Sequence, residues 1–353
     1  MPGGIISRME LVLIDKPEAW ADLETEWNQL MERSGTANPF LEYWYLRTWW
    51  EHLGGREWPE TESRLAIVAG YEDGVLKAVA PFFISRKKDH PIALRFIGQI
   101  EVTDYLDFIA EKDVLEEFLS ELFDFIPEHK QIDINRFSLA NLLSDSPSIP
   151  ILEKIAEKRG LSYEAQILQP APSIFLPGHW EDYLQNLSKK QRHEIRRKER
   201  NADQNFDSHL VFAPKEADIE QEMRDFLELM RNEVNKQQFL STETEKFLIE
   251  LAHKANQKGK LLLCYLYLNG EKAAVYFNFL SDRKLLVYNT GWNPKFEKAS
   301  PGWVLLGKLV RWSIENGLDE VDLMRGDEAY KYRFGAQNRY VVRVEIGHKK
   351  ALR

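Results

Sequence analysis

The chain contains one hairpin pattern twice, and this repeat is the strongest constraint on its fold. Residues 71–85 are YEDGVLKAVAPFFIS, and residues 267–281, YLNGEKAAVYFNFLS, align with them without gaps. Each copy has a tight-turn dipeptide, Asp73-Gly74 or Asn269-Gly270, between two β-favouring runs, which is a strong hairpin signal. Any hairpin favours Gly at its turn and Val in its strands. The evidence for duplication is therefore the strand, helix and strand predicted after each copy, which indicate two domains of one kind.

The boundary between the copies is predicted at Gln169-Pro170-Ala171-Pro172, because two prolines interrupt the strand and helix pattern there. A chain of 353 residues is long enough for two domains of ordinary size. We predict domains at residues 1–168 and 169–353. The fold class is α+β, with a mixed, largely antiparallel sheet flanked by helices in each domain. Long amphipathic helices are predicted at Ala217–Asn235 and Thr242–Lys258.

The segment Leu285–Gly335 predicts a strand, an open loop, a helix and a second strand. The helix begins at Ser300-Pro301-Gly302, with Ser in the N-cap position and Pro as the first helical residue. The unpaired N–H groups and the dipole of a helix start attract anions. We interpret this unit as the binding site for the pyrophosphate of a coenzyme A thioester, although an ordinary capped helix would have the same sequence. The residues predicted to contact the coenzyme are Asn289, Gly291, Ser300, Pro301, Gly302 and Trp303.

The first copy lacks this helix start. Ala110-Glu111-Lys112-Asp113 occupies the corresponding place. Acidic residues there stabilise the helix that follows but repel a phosphate. We therefore assign the coenzyme and the chemistry to the second copy, and a degenerate, cleft-forming role in acceptor binding to the first.

Charged and aromatic residues are concentrated between Asp322 and Arg333, where a buried strand ends and a turn follows. Acyl transfer to an amine needs a base for the amine and a proton for the leaving thiolate. Asp327 or Glu328 is a candidate base, and Tyr330 or Tyr288 a candidate proton donor. A structural ion-pair network is the alternative interpretation of the cluster. The residues predicted for catalysis are Asp327, Tyr330, Tyr288 and Asp322, and those predicted for substrate binding here are Arg325, Lys331 and Arg333.

The segment Lys189–Arg200 is a basic helix in an otherwise acidic chain. Three interpretations compete. The charges line a solvated helix face, or they recognise an anionic acceptor such as a nucleotide-sugar or a sugar acid, or they contact RNA. For the second we single out Arg192 as a substrate-binding residue.

The composition and residue patterns argue against several classes of protein and of site. The net charge of −9 disfavours a general nucleic-acid binder. The single cysteine, Cys264, lies in an apolar run and permits no disulfide within the chain. The histidines lack metal-ligand spacing, so we predict no metal. No signal-peptide pattern and no apolar run of about 20 residues is present, so we expect a cytoplasmic protein without a membrane span. The sequence leaves the oligomeric state open.

Several motifs resemble the GNAT acyltransferase superfamily, and more narrowly its CelD/BcsL-like branch, which includes proteins linked to cellulose or exopolysaccharide synthesis. They lie at residues 183–192 (YLQNLSKKQR), 288–291 (YNTG) leading to 300–302 (SPG), and 322–327 (DLMRGD) leading to 330–335 (YKYRFG). Two weaker motifs lie in the first half, at residues 38–50 and at Thr103–Asp107, where we predict Asp104 and Tyr105 as substrate-binding residues. The resemblance implies tandem GNAT-like domains and transfer from acetyl-CoA or another acyl-CoA. The superfamily's usual glycine-rich pyrophosphate signature is absent from the loop, which contains only Gly291 and Gly302.

Three functions follow as hypotheses. The first is acyl-CoA-dependent N-acylation of a small-molecule or sugar-type acceptor, by direct attack in a ternary complex. The second is transfer from aminoacyl-tRNA, because Fem-type transferases resemble this tandem architecture; they more often carry a long coiled-coil insertion, and no sustained heptads occur here. The third is a non-catalytic binding protein that retains the fold.

Overall fold

The computed structural model describes residues 9–55 and 61–348. The chain forms two compact units. Unit 1 comprises Met1–Gln169 and Tyr340–Arg353, and unit 2 comprises Pro170–Arg339. The division between Gln169 and Pro170 falls at the proline-rich break. The segment after Arg339 belongs to unit 1, because the C-terminal strand pairs there.

Unit 1 is built from two sheets and five helices among its described residues. Its helices are α1 (Pro17–Asp22), α2 (Glu24–Met31), α3 (Tyr43–His52), α4 (Leu115–Glu128) and α5 (Ser148–Lys158). Its strands are β1 (Glu10–Ile14), β2 (Thr61–Leu65), β3 (Ile67–Glu72), β4 (Val75–Ala80), β5 (Phe82–Lys87), β6 (Ala93–Phe96), β7 (Ile109–Ala110) and β8 (Arg136–Leu143), with parts of β9 (Ser162–Phe175) and β15 (Gln337–Gly347). One sheet has the order β1-β3-β4-β7, and the other runs β2-β5-β6-β8-β15.

Unit 2 has one mixed sheet in the order β10-β11-β12-β13-β14-β9. Its strands are β10 (Ser208–Phe212), β11 (Leu261–Leu268), β12 (Glu271–Ser281), β13 (Lys284–Trp292) and β14 (Glu320–Asp322), completed by the end of β9. Its helices are α6 (Trp180–Asn186), α7 (Lys189–Asn205), α8 (Ile219–Met230), α9 (Val234–Phe239), α10 (Thr242–Gln257), α11 (Pro301–Glu315) and α12 (Ala329–Arg333). The strand pairs are antiparallel except β13–β14. This confirms the predicted fold class.

Both predicted tight turns are confirmed. Asp73 and Gly74 have φ of 49° and 74°, and Asn269 and Gly270 have φ of 53° and 79°. Positive φ at both central residues defines the hairpin turn whose twist matches that of its strands. The hairpins β3–β4 and β11–β12 therefore form where the sequence places them.

The two units contain the same strand–helix–strand step. In unit 1, β6 and β8 are parallel neighbours separated in sequence by α4. In unit 2, β13 and β14 are parallel neighbours separated by α11. An antiparallel strand then completes each set, β15 beside β8 and β9 beside β14. The matching order supports the duplication inferred from the hairpins.

One proline makes the copies differ. The second strand of the repeated hairpin is continuous in unit 2, from Glu271 to Ser281, whereas in unit 1 it is divided into β4 and β5 at Pro81. The aligned residue in unit 2 is Phe277. Proline has no N–H for a sheet hydrogen bond, so it separates a strand into two pieces. In unit 1 those pieces belong to different sheets.

Candidate active site

The turn Met324–Gly326 after β14 is held from inside by a buried lysine. Met324 and Gly326 have φ of 58° and 122°, a conformation that disfavours side chains with a Cβ. Lys331 Nζ donates to the three carbonyl oxygens of the turn at 3.1, 2.9 and 3.4 Å, and it pairs with Glu328 Oε2 at 3.0 Å. The ammonium of Lys331, predicted to bind substrate, is thus engaged in fixing this turn and the start of α12.

Asp322 lies in an ion-pair network of unit 2. Its Oδ2 accepts from Arg339 Nη2 at 2.7 Å, and its Oδ1 accepts from the Met324 N–H at 2.8 Å. Arg339 also pairs with Glu320 at 2.9 Å. Burial alone raises the pKa of Glu320, but hydrogen bonding to Ser173 and the charges of Arg339 and Lys284 outweigh it, so the pKa is lowered. For Asp322, the geometry favours the ion-pair alternative over a catalytic role.

Asp327 is exposed and accepts a hydrogen bond from Tyr332 OH at 2.9 Å. Arg325, next to it in the turn, is partly buried, and Arg333 is exposed at the end of α12. The predicted base is therefore hydrogen-bonded to a partly buried tyrosine, and the two arginines differ in exposure.

A cavity of about 250 Å³ lies beside the start of α11. It is lined by Glu233, Tyr276, Thr290, Gly291, Trp292, Gly302, Trp303 and Tyr330. Four of these, Gly291, Gly302, Trp303 and Tyr330, were predicted site residues. The structure brings them together from β13, α11 and α12, which are distant in sequence.

The start of α11 is open. Ser300 adopts a left-handed conformation with φ of 51°, and its side chain makes no capping hydrogen bond. Ser300 thus occupies the N-cap position that the sequence predicted, without a side-chain cap. Pro301 is the first helical residue, and a Cβ built at Gly302 meets nothing within 4 Å. The first N–H groups of a helix lack intrahelical acceptors, so this open end favours an anion.

Gly291 is required for packing. A Cβ at this position would lie 2.7 Å from Met230 N and 2.8 Å from Leu229 C. The backbone at the end of α8 therefore packs directly against the backbone of β13, without space for a side chain at this position. Although Gly291 lines the cavity, its missing side chain is explained by this contact.

Tyr288 and Asn289 lie on β13 outside the set of cavity-lining residues. The strand contains a β-bulge there, since Asn278 pairs with Val287 and Phe277 pairs with Asn289. The Tyr288 ring packs against Phe277 and Phe279, with centroid distances of 5.4 and 5.1 Å. Of the two predicted proton donors, Tyr330 is among the residues that line the cavity and Tyr288 is not.

Two tyrosines in the cavity stay protonated over a wide pH range. Burial raises the pKa of Tyr330, and the charges of Glu328 and Glu233 raise it further. Burial likewise raises the pKa of Tyr276, with a smaller effect of Tyr330. Tyr276 OH donates to the Gly302 carbonyl at 3.0 Å and so links β12 to α11. Tyr330 is the phenol on α12 that faces the cavity.

Glu233 is the carboxylate of the cavity, and sequence reasoning missed it. The predicted helix Ala217–Asn235 is wrong in its length, because α8 ends at Met230 and Asn232 Nδ2 donates to the Trp292 carbonyl at 3.0 Å. Glu233 follows this break. The signal in the sequence is the end of the apolar periodicity at Met230.

Lys236 fixes Glu233 beside β13. Lys236 Nζ lies 2.9 Å from Glu233 Oε1, and it donates to Thr290 O and Thr290 Oγ1 at 2.7 and 3.0 Å. One lysine therefore joins the segment after α8 to the strand that lines the cavity. The Glu233 side chain is 35% exposed, so solvent reaches this end of the site.

Two cations meet on the indole of Trp303. Lys198 Nζ lies 4.2 Å from the ring centroid and Arg333 Cζ 5.9 Å from it. Burial lowers the pKa of Lys198, Glu194 opposes this shift, and the positive charges of Arg197 and Arg333 add to it. The Trp303 indole N–H has no acceptor among the described residues. Two cations therefore lie beside the first turn of α11.

The remaining predicted site residues have local roles. Arg192 Nη1 donates to the carbonyl oxygens of Leu184 and Gln185 at 3.1 and 3.4 Å and so closes the end of α6. Asp104 and Tyr105 are buried in unit 1. All lining residues of the cavity belong to unit 2.

Within residues 9–55 and 61–348, no group of three or more His, Cys, Asp or Glu side chains is arranged to hold a metal ion. Cys264 is buried, and burial raises the pKa of its thiol to about 12, although hydrogen bonds from Asn278 and Tyr276 oppose this. A thiol with that pKa is a poor nucleophile at neutral pH. None of the described helices combines the length and apolarity needed to cross a bilayer.

Residues 189–332 match the model of the acetyltransferase (GNAT) domain. The match covers every residue that lines the cavity and most of unit 2. Over these residues the chain is similar to a GNAT acetyltransferase domain, and the protein is a transferase. No curated protein matches the chain.

Solved structures with the same fold extend over both units. A structure of FemX has a TM-score of 0.64 at 10% identity, covering 94% of this chain and 96% of that chain. A conserved protein of unknown function from Bacteroides thetaiotaomicron has a TM-score of 0.61 at 14% identity, covering 96% and 100%. The C-terminal domain of a putative lysylphosphatidylglycerol synthetase from Agrobacterium fabrum has a TM-score of 0.56 at 9% identity, covering 94% and 93%. These likenesses establish the fold.

Proposed function

We propose that the protein is an acyl-CoA-dependent N-acyltransferase that acylates an amine of a small-molecule or sugar-type acceptor. The observation that carries this proposal is the cavity of unit 2. An open helix start, a carboxylate and a protonated phenol meet in it. We place the reaction in the cytoplasm, where the sequence analysis predicted the protein to be.

The donor's phosphates fit the start of α11. Gly302 leaves this helix end unobstructed, and the N–H groups of its first turn point outward. Lys198 and Arg333 add two positive charges at Trp303. This arrangement replaces the glycine-rich loop that the sequence lacks, because backbone N–H groups and side-chain cations share the phosphate contacts.

The transfer step uses Glu233 and Tyr330. The acceptor amine attacks the thioester carbonyl and gives a proton to Glu233, and the C–S bond then breaks. Tyr330 protonates the departing thiolate, and the proton held by Glu233 restores the phenol through solvent at the exposed end of the cavity. The products are an amide and free coenzyme A, and both side chains return to their starting protonation states. We assign the base to Glu233 in preference to Asp327, because Glu233 lines the cavity.

Two substitutions test these roles. We expect Tyr330→Phe and Glu233→Gln each to lower turnover by roughly 10²-fold or more, measured as thiol release from acetyl-CoA with a panel of amines. Tyr332→Phe on the same helix and Glu228→Gln on α8 are matched controls that remove a hydroxyl outside the cavity lining and an exposed carboxylate. Equal turnover in Tyr330→Phe and Tyr332→Phe would remove Tyr330 from the mechanism. Loss of turnover in Asp327→Asn but not in Glu233→Gln would return the base to Asp327.

The donor is tested by binding. We expect free CoA and acetyl-CoA to raise the melting temperature in proportion to the logarithm of their concentration. Trp292 and Trp303 line a cavity of about 250 Å³, so we expect the shift to decrease with long acyl chains. No shift with any CoA thioester would rule out the acyl-CoA donor.

The second candidate function is Fem-type transfer from aminoacyl-tRNA to a cell-wall precursor. It is favoured by the likeness to FemX and by the basic face of α7, where Arg197 and Arg200 are among the exposed or partly exposed cations. Salt-sensitive binding of tRNA without any CoA-induced shift would establish this function in place of the first.

The proposal also names a chemical class for the acceptor. The motifs shared with the CelD/BcsL-like branch suggest an acceptor linked to exopolysaccharide synthesis, such as a nucleotide-sugar with a free amine. Turnover with amino-sugar nucleotides, compared with simple alkyl amines, tests this class directly.

A further inference from the structure

Strand β13 continues past the point where its neighbour β14 stops pairing with it. Residues Lys284–Leu286 of β13 pair with β14, and the rest of the strand pairs with β12 alone among the described residues. Backbone groups on the open side of β13 therefore need partners other than a strand. The carbonyl of Thr290 lies in this part and accepts from Lys236 Nζ at 2.7 Å. A lysine thus binds β13 where the sheet has opened.

The hydroxyl of Thr290 is left with a free proton. Lys236 Nζ lies 2.9 Å from Glu233 Oε1 and 3.0 Å from Thr290 Oγ1, so with the Thr290 carbonyl it has three acceptors. An ammonium has three donors and no acceptor, so Thr290 Oγ1 is the acceptor in its bond with Lys236. The hydroxyl makes no other hydrogen bond to residues 9–55 or 61–348, and its own O–H can serve a bound molecule.

Thr290 presents this hydroxyl at the cavity beside that of Tyr276. Both residues line the cavity, and they are partners across β12 and β13. Cross-strand partners project their side chains from the same face of a sheet, about 5 Å apart. The Tyr276 hydroxyl already donates to the Gly302 carbonyl at 3.0 Å. Of these two neighbouring hydroxyls, that of Thr290 is the one with a proton to donate.

The ammonium of Lys236 strengthens this donor. A hydroxyl that accepts a hydrogen bond from a cation is polarised by it, so its own proton becomes a better donor. Lys236 is held by three hydrogen bonds, and its side chain is 23% exposed. The hydroxyl is therefore oriented before any substrate binds. Such preorganised donors stabilise negative charge that develops in a transition state.

A second unpaired donor lies in the cavity lining. Trp303 Nε1 has no acceptor among the described residues. The ring of Trp303 lies under Lys198 and Arg333, the cations that the proposed function assigns to the donor's phosphates. Thr290 instead shares the ammonium of Lys236 with Glu233, the proposed base. The hydroxyl is therefore the better placed of the two donors for the reacting carbonyl.

Unit 1 has no counterpart of this part of β13. Strands β6 and β13 correspond, because both begin opposite aligned serines of the repeated hairpin, Ser85 and Ser281. β6 ends after four residues at Phe96, whereas β13 continues for nine residues to Trp292. Thr290 lies in the added part. The shared fold therefore does not require the strand segment that carries this hydroxyl.

We propose that the Thr290 hydroxyl, polarised by Lys236, is the oxyanion donor of the transfer reaction. This role rests on the proposed function. When the amine attacks, the C–N bond forms and the π electrons of the thioester carbonyl move to its oxygen, which accepts from Thr290 Oγ1. The carbonyl then re-forms, and the electrons of the breaking C–S bond leave with the sulfur. Thr290 and Lys236 keep their protons throughout.

The test is steady-state turnover of the full chain with acetyl-CoA and the amine that the wild type uses best. We expect Thr290→Val to lower kcat by roughly 10²-fold and to leave the KM for acetyl-CoA nearly unchanged, because the oxyanion exists only beyond the ground state. Thr290→Ser restores a hydroxyl and should recover most of the turnover. Thr242→Val, at an exposed position of α10, is the matched control and should turn over like the wild type.

Melting curves show whether the variants are folded. Valine keeps the shape and β-branching of threonine, and Lys236 keeps Glu233 and the Thr290 carbonyl as acceptors, so Thr290→Val should retain the melting shift with free CoA. Thr290→Ala, whose smaller side chain cannot clash, should lose as much turnover as Thr290→Val.

Two kinds of failure are distinguishable. Wild-type kcat in Thr290→Val and Thr290→Ala, a loss that Thr290→Ser does not restore, or a raised KM at unchanged kcat would each overturn the oxyanion role and leave the proposed function standing. A loss of kcat in Trp303→Phe without one in Thr290→Val would transfer the role to the indole. Absence of thiol release by the wild type from any acyl-CoA would overturn the proposed function and this role together.

Discussion

The helices α4 and α11 occupy the same place in the two units and begin in opposite ways. Before α4, Glu111 accepts from Arg33 and Lys77 at 2.7 and 2.9 Å, and Glu116 and Glu117 fill the first turn. Those hydrogen bonds lower the pKa of Glu111. Before α11, Ser300 turns the chain and no acidic residue lies in the first turn. One helix start is occupied by carboxylates of its own chain, and the other has neither an acidic residue in its first turn nor a side-chain cap.

The two units also bury their carboxylates differently. Asp322 and Glu320 of unit 2 are held by the charge of Arg339. Asp107 of unit 1 is held by neutral groups, since it accepts from Ser146 Oγ and Ser148 Oγ, each at 2.5 Å. A charged partner keeps a carboxylate ionised, whereas hydroxyl partners compensate its burial only in part. The duplicated fold therefore tolerates both arrangements, and they respond differently to mutation and to pH.

The largest effect is expected where the charged partner is removed. Arg339→Met should lower the free energy of unfolding by about 3–5 kcal/mol, because it removes the guanidinium that two buried carboxylates share. Arg283→Met removes a partner from Asp319 at an exposed pair and should cost much less, because solvent screens that pair. Urea unfolding at pH 7 measures both. Similar losses in the two variants would show that burial of Glu320 and Asp322 does not set the cost.

The next effect is a pH dependence of unit 1. Burial raises the pKa of Asp107 to about 6, against the opposing hydrogen bonds from Ser146, Ser148 and the Phe108 N–H. A folded pKa above the unfolded value means that the native state binds the proton more tightly. The stabilisation is therefore present below about pH 4 and is lost as pH rises through about 6, by about 2–3 kcal/mol.

Asp107→Asn isolates this contribution, since the amide does not titrate. The difference in unfolding free energy between wild type and variant should change by that amount between pH 4 and pH 7. A constant difference would refute the assignment. Glu320 of unit 2 has a lowered pKa, so its contribution has the opposite sign and is lost as pH falls.

The two glycines of the cavity differ in what surrounds them, which gives a smaller expected effect. Gly291→Ala should lower the free energy of unfolding by about 1–3 kcal/mol, because the new methyl group meets backbone atoms of α8 at 2.7 and 2.8 Å. Gly302→Ala should be neutral or slightly stabilising, because its site is open and helical. Thermal unfolding of both variants tests whether the difference in stability comes from the space around each glycine or from the loss of glycine itself.

The smallest effect tests the comparison of helix starts directly. Gly302→Asp gives α11 an acidic first turn like that of α4. It should leave the melting temperature unchanged or slightly raised, because a carboxylate favours a helix N-terminus. It should weaken CoA binding by about tenfold, because the same charge repels the phosphates. Gly178→Asp, at another open position, is the control. Unchanged CoA affinity in Gly302→Asp would place the phosphates elsewhere.

The local signals in the sequence were sufficient for most of the fold. The tight turns Asp73-Gly74 and Asn269-Gly270 fixed the hairpins, and Pro301 and Gly317 bounded α11, because these residues restrict or extend the backbone wherever they occur. The prolines at residues 170 and 172 lie where the two compact units divide, between Gln169 and Pro170. Such features are decided within a few residues of chain, so they can be inferred without tertiary contacts.

The candidate site depended on contacts across long sequence separations. Asp327, Lys331 and Tyr330 are close in sequence, so we predicted that they lie in one site. Of the three, only Tyr330 lines the cavity, because Lys331 donates to the turn carbonyls and Asp327 accepts from Tyr332. Glu233 reaches it from a helix break that Asn232 and Lys236 fasten to β13. The sequence by itself determined which elements form and that they form twice. The tertiary structure decided which charged groups are in contact. Ion pairs form between groups that packing brings close in space, whatever their separation in sequence.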